Sequence, residues 1–161
     1  MNVSIEPIDS EIAGAMRAAS HDAYGNALQP EIQAHPGNPC RHCLKRAAAG
    51  ERLVLFSYSP FERKNPYKEV GPVFVHADGC ARYTECDRVP ADFLNRPLVL
   101  RGYDAAQRIV EVAVVVDGHT ERRIRELLAI PEIAYLHARS FTHGCYLFRI
   151  DRSLDAAWDD T

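Results

Sequence analysis

The feature that most constrains this chain is a series of short segments in which apolar and polar residues alternate, with helical segments interspersed at no regular interval. Two-residue alternation builds strands with one buried face. It runs through residues 2–7, 52–59, 70–77, 98–103, 108–116, 133–139 and 145–150. Helical spacing is confined to Ile12, Ala15, Met16 and Ala19, which follow a cap at Asp9 or Ser10, and to Ile124, Leu127 and Leu128, which follow Thr120 and end at Pro131. A doubly wound parallel sheet needs a helix after nearly every strand. This order instead predicts an α+β domain, mainly an antiparallel or mixed sheet with a few short helices.

The connections follow from local chemistry. Residues 21–39 hold three prolines and two glycines and predict a loop with at most one helical turn. Residues 40–49 predict a short helix stopped by Gly50. Pro72 suits the start of a strand or a sheet edge, and Pro90 suits the first turn of a helix through Asn95. Asp104 to Gln107 read as a hairpin loop. The expectation is one domain, residues 1–161. Its core is about 39–150, preceded by a strand, helix and loop in 1–38 and followed by an acidic tail, 151–161, that carries Trp158.

A chain of 161 residues can bury enough surface to fold without a disulfide or a metal. The net charge of -3 argues against a general nucleic-acid binder. The basic-looking run 121–126 pairs Glu121 with Arg125 and Arg122 with Glu126, four apart on a solvated helix face. The longest apolar run, Val112 to Val116, falls far short of the roughly 20 residues of a membrane helix. Residues 1–11 carry acids and Pro7 where a signal peptide needs a basic stretch and an apolar run. The expected location is therefore the cytoplasm, and the five cysteines, an odd number, are expected as thiols. The P-loop, the nucleophile elbow and the His-Glu-x-x-His zinc helix are absent from the sequence.

Two groups of residues can carry chemistry. The first centres on Cys40-x-x-Cys43. Two thiolates three positions apart can hold zinc from a tight turn, and the other two ligands would come from His76, Cys80, Cys86, His143 or Cys145, with His76 and Cys80, four apart just after a strand, as one pair. The same pair, with His42 between, also fits a redox-active or thiol-dependent enzyme acting through Cys40 or Cys80, although the residues before it do not read as the strand such a site follows. The ordinary alternative is two small apolar-behaving side chains packing a helix turn. His76 likewise reads as a ligand or as a hydrogen-bonded rim residue at a strand end.

The second group is cationic and aromatic. Alternation puts Arg101 and Tyr103 on one strand face, and Tyr135, His137 and Arg139 on one face of another. Arg149 lies on the opposite face from Tyr146 and Phe148. An arginine inside a small sheet must reach water or a partner. Arg101 and Arg139 are therefore expected to converge on a small anionic molecule, a carboxylate or phosphate, with Tyr103 on their face and Tyr58 or Tyr67 as a wall, or to pair with carboxylates such as Asp104 and Asp78. The expected partner is that anion, and neither nucleic acid nor a membrane; a homo-oligomer is left open.

Pro39-Cys40-Arg41-His42-Cys43-Leu44, Ser57-Tyr58-Ser59-Pro60-Phe61, Gly71-Pro72-Val73-Phe74-Val75-His76 with Cys80, Arg101-Gly102-Tyr103-Asp104 and Gly144-Cys145-Tyr146 follow in order. Together they resemble the bacterial domain of unknown function 1203 family. The resemblance implies a free-standing bacterial domain and supplies no activity or catalytic residues.

Overall fold

The computed structural model describes residues 2–153, so the expected acidic tail beyond Ser153, with Trp158, lies outside the described residues. The fold is α+β: two sheets and three short helices, and every strand pairing whose register is resolved is antiparallel. The chain gathers into two compact units. Among the described residues, one comprises 2–6, 85–144 and 148–153, the other 7–84 and 145–147.

The first unit holds a five-stranded sheet in the order β1-β8-β7-β5-β6. Its strands are β1 (Val3–Glu6), β5 (Leu98–Tyr103), β6 (Ile109–Val115), β7 (Tyr135–Ser140) and β8 (Tyr146–Arg152), the last from Phe148 onward. Alternation sends Ile5, Phe148, Ile150, Leu136, Ala138, Leu98, Leu100, Ala113 and Val115 to one buried face. Helix α3 (Thr120–Leu128) packs on β5, β6 and β7, burying Ile124, Leu127 and Leu128. Burying each such side chain stabilises by roughly 1.5–3 kcal/mol. The short helix α2 (Ala91–Leu94) adds Phe93, edge-on to Phe148. In the β5–β6 hairpin, Asp104 Oδ1 accepts the Ala106 and Arg108 N–H groups, and Gln107 takes a left-handed φ of 63°.

The second unit holds a three-stranded sheet, β2-β3-β4, with β2 at Pro30–Ile32, β3 at Arg52–Tyr58 and β4 at Gly71–His76. Helix α1 (Ser10–Ala18) buries Ala13 in a cluster with Val54, Phe56, Val73, Val75, Cys40, Cys43 and Tyr146. Pro72 sits in the edge strand β4, where its missing N–H breaks no interior ladder.

Several local expectations are corrected. Residues 40–49 form a turn, not a helix: Leu44 N–H returns to Cys40 C=O, Cys40 N–H bonds Lys45 C=O, and Pro39 bridges Arg46. Leu44 takes φ 55°, which ends any helical path there. The stretch 21–39 contains β2, whose three residues pair with Arg52, Leu53 and Val54. Neither Asp9 nor Ser10 caps α1 through its side chain. Pro90 occupies the cap position of α2 rather than its first turn, His119 rather than Thr120 occupies that of α3, and the Thr120 hydroxyl donates to Leu94 C=O instead. Among the described residues no helix is long and apolar enough to cross a membrane.

Candidate metal centre

The turn at 40–44 presents Cys40 and Cys43 from consecutive corners of one loop. Its outer wall is pinned by Arg41 N–H to Phe74 C=O, next to the end of β4. β4 ends at His76, and Gly79, at φ 88°, reverses the chain so that Cys80 comes back. One donor atom from each of Cys40, Cys43, His76 and Cys80 lies within 4.8 Å of every other. Cys40 Sγ is 3.8 Å from Cys80 Sγ, and Cys43 Sγ is 3.4 Å from His76 Nδ1. Zinc bonds of about 2.3 Å to sulfur and about 2.0 Å to nitrogen in a tetrahedron put ligand atoms about 3.5–3.8 Å apart. The side chains are thus spaced as a tetrahedral Cys3His set needs.

The surroundings suit such a set. Cys40 is fully buried and Cys43 nearly so. His76 turns Nδ1 inward and Nε2 toward Glu51 Oε2 at 3.2 Å, the arrangement in which a carboxylate orients a ligating imidazole. Glu51 is held below its ordinary value, first by the Ala48 N–H and then by His76. The His76 N–H points at Cys40 Sγ from 3.4 Å. Cys80 Sγ has Arg17 Nη2 at 3.4 Å and His42 Nδ1 at 3.2 Å, and Arg17 Nε also donates to His76 C=O. His42 is buried, and burial pulls its pKa down.

Charge tells the same story. Hydrogen bonds from the Cys43 and Cys80 thiols push the pKa of Cys40 down, and Cys40 in return pushes those of Cys43 and Cys80 up. A divalent cation among these sulfurs would let all three ionise. Three thiolates, one imidazole and a divalent cation sum to one negative charge. Arg17 touches the cluster, and Arg41 is 3% exposed and donates to the carbonyls of Pro39 and Tyr146. Burial brings Arg41 down to about 10. Arg41 and Arg17 escaped the sequence reading, as did the Ser10 hydroxyl, 2.8 Å from His42 Nε2. Nothing local links residues so far apart in the chain.

The arginine group lies in the first unit. The register sets Arg101 opposite His137 and Tyr103 opposite Tyr135, and with Val99 opposite Arg139 all of these share one sheet face. The rings of Tyr103, Tyr135 and His137 are in mutual contact at 4.8–5.4 Å, and the Arg149 guanidinium lies 3.9 Å above Tyr135. Burial first, and then Arg139, Arg149 and Arg101, pull His137 down to about 2. Arg139 Nη1 donates to Gly144 C=O, and Arg149 pairs with Asp151. The carboxylates expected to neutralise Arg101 and Arg139 are taken otherwise: Asp104 pairs with Arg108 and Asp78 with Arg52. Tyr58 belongs to the second unit, where it packs on Phe56 and Tyr146.

A family model described as "Protein of unknown function (DUF1203)" matches residues 37–152, a span that includes all four clustered Cys and His residues. No curated protein and no solved structure matches the chain.

Proposed function

The chain belongs to the DUF1203 family of proteins of unknown function, and from that premise we propose that it is a zinc-binding protein whose Cys40, Cys43, His76 and Cys80 hold one structural metal ion. The observation that carries this reading is the mutual approach of four donor atoms from three separated stretches of chain to within 4.8 Å. Four protein ligands fill a tetrahedron and leave no position for water or substrate, so the ion ties β4, the 40–44 turn and the Cys80 loop together rather than performing a reaction. The five free thiols suit a reducing, cytoplasmic setting.

Elemental analysis of protein purified under reducing conditions tests the proposal, followed by cobalt substitution. One metal equivalent per chain is expected, with sulfur-to-cobalt charge-transfer absorption and tetrahedral visible bands. Absence of stoichiometric metal, together with no such bands on loading the reduced chain, overturns it.

A second reading rests on a separate observation. Arg101, Arg139 and Arg149 lie near the buried His137, and the Tyr135 hydroxyl on the same face is buried with no hydrogen-bond partner among the described residues. This face is a binding site for a small carboxylate or phosphate. Titration with a panel of such anions is expected to show saturable binding that Arg139→Ala and Arg101→Ala weaken. Loss of stability in both variants, with no anion bound by the parent, defeats it.

A further inference from the structure

Away from both sites, a cavity of about 440 Å³ opens on the β2–β3 side of the second unit, in the size range of small-molecule sites. Asn26 and Gln29 in the loop before β2, Glu31 in β2, Leu55 and Ser57 in β3, and Pro72 in β4 line it. One wall is rigidly built. The buried Asp22 carboxylate accepts the N–H groups of Tyr24, Asn26 and Ser57 and the Asn26 side-chain amide, which pins the loop to β3. The Asn26 amide also donates to Ser57 Oγ. A cavity whose loop is already tied down needs little ordering when a ligand enters.

The lining is rich in acceptors and poor in cations. Asn26 spends its amide hydrogens on Asp22 and Ser57, which leaves its carbonyl oxygen as the group to offer. Glu31 contributes a carboxylate that, among the described residues, forms no ion pair, and no lysine or arginine lines the space. Leu55, 38% exposed, and Pro72 give an apolar floor. A ligand that fits must bring hydrogen-bond donors and positive charge at one end and an apolar stem along the floor. We propose that this cavity binds a small organic cation, an alkylated amine or guanidinium, with its head on Glu31 and the Asn26 carbonyl and its stem over Leu55 and Pro72. This site is independent of the metal ion.

The test uses the full chain in its metal-bound or as-purified form, titrated with n-butylguanidinium, n-butylamine, n-butanol and n-butyrate and followed by amide NMR. Saturable shifts at Asn26, Gln29, Glu31 and Ser57 are expected with the two cations and not with the alcohol or the acid. Glu31→Gln, an exposed and conservative change, is expected to keep the spectrum of the folded chain and to weaken the cations about tenfold, equal to about 1.4 kcal/mol. Leu55→Asn is expected to weaken butylguanidinium but not guanidinium alone. Equal binding of butanol or butyrate, cation binding unaffected by Glu31→Gln, or no saturable shift with any probe overturns the proposal.

Discussion

His42 Nδ1 stands 3.2 Å from Cys80 Sγ, while the Ser10 hydroxyl, 2.8 Å away, holds the opposite ring nitrogen. An imidazole held between a hydroxyl on α1 and a sulfur on the Cys80 loop supports that sulfur without occupying a ligand position. His42→Ala is therefore expected to lower metal affinity by about 10–100-fold while leaving the tetrahedral cobalt spectrum in place. Competition with a chromophoric chelator measures the first, and visible absorption the second. An unchanged affinity would show that the contact does not support the ligand.

If the proposed ion is present, removing it is expected to lower the thermal midpoint and to erase near-ultraviolet dichroism from the Tyr58–Tyr146 region, because it would add a tie between the 40–44 turn and the His76–Cys80 segment. One equivalent of zinc is expected to restore both. Cys80→Ser is expected to behave like the chelated parent. Chelation without any change in midpoint contradicts a structural role.

Asp22 gives the second unit an acid-sensitive clasp. The Ser57 N–H first, then the Asn26 side chain and backbone and the Tyr24 N–H, hold its pKa well below the usual carboxylate range. A depressed folded value means the unfolded chain takes up the proton first. The contribution is complete above the ordinary aspartate value of about 4 and is lost as pH falls below it. Melting temperatures from about pH 7 to pH 3 are expected to fall more steeply for the parent than for Asp22→Asn, which starts lower and lacks this component.

His137 acts at higher pH. Its folded value is down at about 2, so the buried imidazole stays neutral where an unfolded histidine charges. Stability from this residue is complete above about pH 6.5 and declines as pH falls below it. A plot of melting temperature between about pH 8 and pH 5 is expected to lose that slope in His137→Phe. An identical slope in both proteins assigns the dependence elsewhere.

Gly102 is required by a neighbour. A Cβ there would meet Ile133 Cδ1 at 2.5 Å and Cγ1 at 3.1 Å, and Ile133 is fully buried. Gly102→Ala is expected to cost about 1–3 kcal/mol by overpacking. Ile133→Val removes the closest atom, so in a double-mutant cycle the pair is expected to couple favourably, by chemical denaturation.

The strand pattern could be read because alternation is a local property. All the expected strands from residue 2 to Ile150 are present, to within a residue or two at their ends. Cys40 and Cys43 stood out by their spacing, while His76 and Cys80 were two of five candidates for the remaining ligands; the structure brings those four together. Two things were hidden. Leu44-Lys45-Arg46-Ala47-Ala48-Ala49 is made of strong helix formers, yet tertiary hydrogen bonds around Cys40 and the left-handed Leu44 override that propensity. The support given by Ser10, Arg17 and Arg41 was invisible because it depends on the meeting of α1, the turn and the strand ends.

The pairing of β1 with β8, Val3 opposite Arg152 and Glu6 opposite Arg149, has a consequence for biosynthesis. During synthesis β1 leaves the ribosome well before β8, with nearly everything else described between them. Throughout that interval β1 has no partner strand, and the five-stranded sheet cannot close. Ser4 and Glu6, alternating with Val3 and Ile5, put polar side chains on such a waiting strand, which makes it a poor template for other nascent chains.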